Sequence, residues 1–277
     1  MIMTVFYLCN IACSAGQSAL GKQHARRGGG ARSFNLNKAL IGTLLFLACG
    51  LTAGFSPHPA TALWGIGYGL SLCCSMHAGF KALSMGPMAL TSIIASFSLV
   101  VPFFFGVCVW GETITALKAL GLLLLLASIL LINAKRERGL SLRWLLYALL
   151  TLLTNGICSV IQKAHQMQFP TLYRTEFMFW SMLCVLVILS LSTARTPRPR
   201  FRFSLSGLVS GTMNGLANYI VLYLSAAENA STLFPIVSIA NIAAAWLAGL
   251  VFFHERLRWP QLLGLLIGML SVLLLKL

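Results

Sequence analysis

Apolar residues run in long, nearly unbroken stretches along this chain, and polar residues gather between them. About 20 mainly apolar residues in a helix suffice to cross a bilayer. Ten stretches reach that order of length: 2–21, 38–55, 60–83, 87–109, 114–133, 144–166, 172–193, 204–225, 230–252 and 259–276. They are called span 1 to span 10. The longest connection, 22–37, contains Gly28, Gly29 and Gly30 and reads as a flexible loop. No connection is long enough to fold as a soluble domain. Span 1 lacks a basic segment before it, and Asn10-Ile11-Ala12-Cys13 does not fit a lipoprotein cleavage site. It is expected to remain as a membrane helix. The pattern predicts an all-α integral membrane protein with ten transmembrane helices.

Composition agrees. Of 277 residues, 58% are hydrophobic and 9% charged, against about 25% charged in soluble domains. So few charges cannot cover a soluble protein of this size. A soluble enzyme, a disordered chain and a nucleic-acid-binding module are excluded together. The net charge of +15 then bears on orientation rather than on a nucleic-acid partner. Fifteen of the 20 basic residues fall in alternate connections. These are Lys22, Arg26, Arg27, Arg32 and Lys38; Lys135, Arg136, Arg138 and Arg143; Arg195, Arg198, Arg200 and Arg202; and Arg256 and Arg258. The other side has Lys118, Lys163, Arg174 and Lys276, and Lys81 lies within span 3. The positive-inside rule places the first set in the cytoplasm, so both termini are expected outside the cytoplasmic membrane.

The chain also contains an internal repeat. A shift of 143 residues carries Glu112 onto Glu255, Gly121 onto Gly264 and Ser128 onto Ser271. Near the start of each half, a shift of 145 carries Asn10, Cys13, Ser14 and Gln17 onto Asn155, Cys158, Ser159 and Gln162. Polar matches are informative because polar residues are scarce here. The repeat divides the chain into residues 1–134 and 135–277, with five spans each. An odd number of spans makes the second half enter from the opposite side. Inverted repeats of this kind build secondary transporters, with the substrate near the midplane between them.

With these features the sequence resembles the drug/metabolite transporter superfamily, in its ten-helix EamA-type branch. The resemblance covers almost the whole chain. It is carried by the two five-helix halves, by Ala82-Leu83-Ser84-Met85-Gly86-Pro87 and Leu224-Ser225-Ala226-Ala227-Glu228-Asn229, by Phe234-Pro235-Ile236, and by Glu112 and Glu255 ahead of Leu-rich helices. It implies a central cavity lined by spans 1, 3, 4, 6, 8 and 9, with spans 5 and 10 peripheral. It also implies movement of small metabolites, amino acids or drugs, often driven by a proton or solute gradient. Two features depart from the pattern. Family members commonly keep both termini in the cytoplasm, and small multidrug members carry an acid in the first helix, where this chain has none.

Candidate chemistry is sparse. There is no Asp, and the acids are Glu112, Glu137, Glu176, Glu228 and Glu255. A metal site or a carboxylate pair is not expected, and neither is a cofactor. The eight Cys lie in apolar runs without a Cys-x-x-Cys pair and read as small buried hydrophobes. Asn10, Ser14 and Gln17 share one helix face, and Asn155, Ser159 and Gln162 repeat it. Their donors and acceptors suit a neutral or zwitterionic solute, and equally suit bonds between helices. His77, Asn214, Asn218 and Asn241 are further substrate-binding candidates. Glu176, His77 and Lys81 are candidates for coupling, because ionisable groups inside a membrane mark function by default. Structural readings stand beside them: a satisfied histidine, a snorkelling lysine and an acid at a helix N-terminus. Pro102 and Pro235 are candidate helix breaks. Gly207, Gly211 and Gly215 read as a packing face. Trp64, Trp110, Trp144, Trp180 and Trp259 read as interfacial anchors.

The reading is a secondary transporter of a small metabolite, amino acid-like or similarly polar, working by alternating access, and not an enzyme. A sugar or nucleoside uptake permease and a non-transporting membrane assembly protein remain as alternatives. The expected partners are a small-molecule substrate, membrane lipid and a coupling proton or ion. The Leu-rich spans 5 and 10 suit lipid or a homodimer.

Overall fold

The computed structural model describes residues 2–109, 115–134, 141–170, 172–194, 203–227, 244, 246–254 and 259–276. Most of span 9, with Pro235 and Asn241, lies outside them. So do Trp110, Glu112, Glu137, Glu228, Glu255 and the basic residues of 135–138, 195–202 and 256–258. The described residues are helical apart from turns and short connections, and no strand occurs among them.

Helix α1 (Ile2–Arg26) ends in a tight turn where Gly28 takes φ +74°, a conformation that suits a residue without Cβ. Helix α2 (Ala31–Ala53) ends at Gly54, which is left-handed at φ 85°. Helix α3 (Pro59–Met85) has Pro at its first position, where the missing N–H removes no helical bond. Gly86-Pro87 separates it from α4 (Met88–Ser96). A 3-10 turn (Phe97–Leu99) leads into α5 (Val100–Val109). Helix α6 (Ala116–Ala134) closes the first half. Helix α7 (Leu142–Gln168) starts at Ser141, whose hydroxyl accepts the Trp144 N–H at 3.1 Å. Helices α8 (Arg174–Ala194), α9 (Leu205–Ala227), α10 (246–253) and α11 (Trp259–Lys276) complete the order.

Three of these helices are long and apolar enough to cross a membrane by length and composition: 31–53, 142–168 and 174–192. Two elements differ from the sequence expectation. The loop expected over 22–37 is only a turn around residues 27–30. Ser33, Asn35 and Asn37 read as loop residues, but Asn35 and Asn37 are buried, and Asn37 Nδ2 donates to the Ser33 carbonyl at 2.8 Å. Helix α2 therefore starts seven residues before Lys38, and Lys38 belongs to a helix rather than to a loop. Span 4 is not one helix. It is interrupted over Phe97–Leu99. Pro102 has no N–H to offer the Ser98 carbonyl four residues back.

Packing exchanges helices between the halves. Helix α1 packs on α9 and α3 on α7, while α2 packs on α8 and α6 on α11. The bonds between them are exchanged in the same way. Asn10 Nδ2 donates to the Ala217 carbonyl at 2.9 Å, joining α1 to α9. Its repeat partner Asn155 accepts at Oδ1 from Ser75 Oγ at 2.5 Å, joining α7 to α3. Ser128 Oγ donates to the Gly264 carbonyl at 2.6 Å, and Ser271 Oγ donates to the Gly121 carbonyl at 2.8 Å. A shift of 143 residues turns one of these last two bonds into the reverse of the other.

Glycines set the close approaches. A Cβ at Gly207 would stand 3.1 Å from the Phe34 carbonyl oxygen, and one at Gly211 would stand 2.8 Å from that of Lys38. The nearest atom to a Cβ at Gly215 is 3.7 Å away. Gly65 and Gly69 of α3 meet the α8 backbone in the same manner, a second small-residue face that was not singled out from the sequence. One core cluster joins α2, α3, α7 and α8 through Phe46, Tyr68, Cys158 and Phe177. Another joins α4, α7 and α11 through Leu90, Ile94, Trp144 and Leu265. Trp144 is therefore not an interfacial anchor. It is 1% exposed, and its indole donates to Thr91 Oγ1 at 3.0 Å. Of the eight Cys, only Cys13 and Cys158 are buried. Exposed Leu8, Leu44, Leu63, Leu70, Leu123 and Leu266 give the bundle an apolar exterior.

Gly211→Ala is expected to force α2 and α9 apart at a cost of about 1–3 kcal/mol. Gly215→Ala is expected to be tolerated. Melting temperatures of the detergent-purified variants test this; equal losses at the two positions would contradict it.

Candidate functional site

A cavity of about 220 Å³ opens where α1, α2, α3, α4, α7 and α9 meet. Helix α1 contributes Gln17, Ser18 and Gly21, and α2 contributes Phe34, Asn35 and Lys38. Helix α3 supplies Leu72, Ser75, Met76, Gly79, Phe80 and Leu83, and α4 supplies Thr91, Ser92 and Ala95. Thr151 and Asn155 come from α7 and Asn214 from α9. Both halves of the chain thus reach it. Apart from Ala95, near the far end of the short α4, the lining residues lie at the centres of their helices or in the halves nearer the α1–α2 and α3–α4 turns.

Lys38 provides the charge. Its Nζ donates to Gln17 Oε1 at 3.0 Å. Glu176 is the one acid among the described residues, and its Oε1 accepts from the Ser56 N–H at 3.1 Å, at the other end of the bundle. Asn35, 2% exposed, holds its Nδ2 buried with no hydrogen-bond partner among the described residues. Several hydroxyl protons are already committed. Ser75 donates to Asn155, Thr91 to the Pro87 carbonyl, Thr151 to the Tyr147 carbonyl and Ser18 to the Ser14 carbonyl.

The two polar faces read from the sequence divide. Gln17 and Asn155 reach the cavity, and Asn214 joins them. Asn10 is buried and bonded to α9 instead. Ser14, Ser159 and Gln162 do not line the cavity, and Ser159 Oγ is turned to the Asn155 carbonyl of its own helix. Asn218 Nδ2 likewise donates to the Asn214 carbonyl. His77 and Lys81 are on α3 but outside the lining, and His77 is exposed. Glu176 sits in the first turn of α8, where an acid meets the positive end of the helix dipole.

The family model of the EamA-like transporter family matches residues 2–134 and, again, 142–277. The chain belongs to the EamA-like transporter family. The two matches fall in the two halves defined by the internal repeat. A solved structure entitled "Crystal structure of protein" is similar over 99% of this chain and 98% of its own, with a TM-score of 0.68 and 15% identity. At that identity the likeness concerns the fold. None of the curated proteins matches the sequence. Members of the family are transporters, so this EamA-like protein is a multi-pass membrane protein that handles a small-molecule substrate among membrane lipids.

Sequence reasoning missed two residues of this EamA-like site, Lys38 and Asn35, and one beside it, His24. Lys38 was counted with the loop cations, because the polar residues before it hid the start of α2. Asn35 was hidden in the same way; its i, i+3 relation to Lys38 on a helix was the signal available. His24 lies near the end of α1, beyond span 1. Its ring packs on Phe34 and Phe80 at centroid distances of 5.0 and 6.1 Å, behind the cavity wall. Its Nδ1 is 3.0 Å from Ser206 Oγ and 3.1 Å from Ser204 Oγ.

Burial holds the His24 pKa below its ordinary value of 6.5. The unfolded chain then binds the proton more readily than the folded one. Stability contributed here is present above pH 6.5 and is lost as the pH falls below it. Melting temperatures measured between pH 7.5 and 5 are expected to fall less in His24→Gln than in the wild type; parallel curves would contradict this.

Proposed function

We propose that this protein is a secondary transporter that moves a small metabolite, amino acid-like or similarly polar, across the cytoplasmic membrane by alternating access. The cavity is its substrate site. The observation that carries the reading is a polar cavity built jointly by both halves of a family transporter, which runs from the middle of the bundle toward one of its ends. A site between repeats, reached from one side at a time, is what alternating access requires.

The spans are ten, arranged as two inverted repeats of five. The exchanged packing of α1 on α9 and α3 on α7 supports this, as do the mutually reversed Ser128–Gly264 and Ser271–Gly121 bonds. The cavity faces the cytoplasm. Arg26, Arg27, Arg32 and Arg143 cluster near that end in sequence, and the positive-inside rule then leaves both termini outside. The pairing of Gln17 with Lys38 and of Asn155 with Ser75 gives Gln17 and Asn155 definite orientations for a solute.

Thermal shift of the detergent-purified protein against amino acids, organic acids, sugars, nucleosides and organic cations tests the site. A solute at 100 times its dissociation constant adds about 2.7 kcal/mol to stability. The shift is expected to shrink in Gln17→Ala and Asn155→Ala and to survive in Gln162→Ala. A shift confined to sugars or nucleosides would replace the proposed substrate with theirs. No shift with any solute, in protein that melts cooperatively, would count against a binding cavity. For orientation, a periplasm-active reporter fused to the C-terminus is expected to be active; activity of a cytoplasmic reporter there would reverse the assignment.

A further inference from the structure

We infer that the cavity recognises a small organic monoanion through its carboxylate, with the Lys38 ammonium and the Asn35 amide as the anion-binding pair. This rests on the cavity being the transporter's substrate site.

The argument is a count of donors and acceptors around about 220 Å³ of space. Lys38 offers three N–H donors and uses one on Gln17. That bond occupies the Gln17 oxygen and leaves the amide N–H groups of Gln17. Asn155 gives its oxygen to Ser75 and so keeps its own N–H groups. Asn35 lines the cavity, and its Nδ2 is buried without a protein acceptor among the described residues. An unsatisfied buried donor is costly, so a native one calls for an acceptor that the bound state supplies. Four of the five lining hydroxyls, those of Ser18, Ser75, Thr91 and Thr151, already donate to protein oxygens, and Ser92 is the fifth. What remains toward the solute is therefore rich in donors and carries one positive charge.

No carboxylate among the described residues lines this space. A cation would meet Lys38 without compensation, whereas a carboxylate would supply the missing counter-charge and accept from both α2 donors. Lys38 and Asn35 are three residues apart on one helix, so they serve one ligand group together. The remaining wall is apolar, with Phe34, Phe80, Leu72 and Met76. The volume is that of roughly seven waters, which suits a short acid with one ionised group and an apolar body.

Two measurements test this. In thermal shift, benzoate, phenylacetate and lactate are expected to stabilise the protein, and benzamide, phenylacetamide and lactamide are not. The shift is expected to be lost in Lys38→Gln, weakened in Asn35→Ala and retained in Lys38→Arg. Amides that stabilise as well as their acids, or an undiminished shift in Lys38→Gln, overturn the inference.

The second measurement needs no ligand. Ser92→Cys in the cavity wall is treated with sulfonatoethyl methanethiosulfonate or its trimethylammonium analogue, and modification at that position is read by mass spectrometry. After normalisation to free cysteine, the anionic reagent is expected to react faster. Lys38→Gln should reduce that preference about tenfold, consistent with a unit charge several ångströms away. Equal reaction of both reagents, with or without Lys38, overturns the anion inference and leaves an aqueous transport cavity standing. No reaction with either reagent, in protein of unchanged melting temperature, overturns the cavity as a solute site and the proposed function with it.

Discussion

Each half of the chain finds its main helix contacts on the other half, α1 on α9, α3 on α7, α2 on α8 and α6 on α11. In a bilayer the apolar tails of lipid compete with every apolar helix face, so burial of such faces drives little association. Helices are held instead by close backbone approach and by a few polar bonds. Here those fasteners run mostly from one half to the other. Asn10 ties α1 to α9, Asn155 ties α7 to α3, and two serines tie α6 to α11 in opposite directions. Gly207 and Gly211 bring α9 against the α2 backbone. Among the described residues the main helix contacts cross between the halves, and the space left between them is the cavity.

The polar residues are divided between two tasks that the sequence alone presents as one. Asn10 and Gln17 lie on the same face of α1, two turns apart. The first is spent on a carbonyl of α9, and the second faces open space with Lys38 as its partner. What separates them is depth along the helix. Near residue 10 the neighbouring helix is in contact; near residue 17 α1 meets the parting of α2, α3 and α4. The same division separates Asn155, which serves both tasks, from Ser159, which turns back on its own helix.

Much of this fold was legible because the repeat was. Ser128, Ser271, Gly121 and Gly264 stand out in a Leu-rich background as repeat partners, and the structure adds that each serine bonds to the glycine of the other half. Gly207 and Gly211 were readable as a packing face because small residues at four-residue steps have little other use. The start of α2 was not legible. Ser33, Asn35 and Asn37 lower the local hydropathy, and the sequence does not reveal that neighbouring helices bury the asparagines. With that start misplaced, Lys38 and Asn35 were lost as site residues. Trp144 failed for a related reason: its position near a span end suits an interface, but a hydroxyl on α4 gives its N–H a buried partner.

The interruption of span 4 has a geometric consequence. An α-helix turns 100° per residue and a 3-10 helix 120°, so three residues over Phe97–Leu99 rotate α5 by about 60° relative to its place on an unbroken rod. The segment before the break sets Thr91, Ser92 and Ala95 toward the solute. The segment after it leaves Phe104, Phe105 and Val109 on the outside. One apolar stretch of chain thereby owns two independently aimed faces, one wet and one oily, and the ring of Pro102 stands just past the swivel between them.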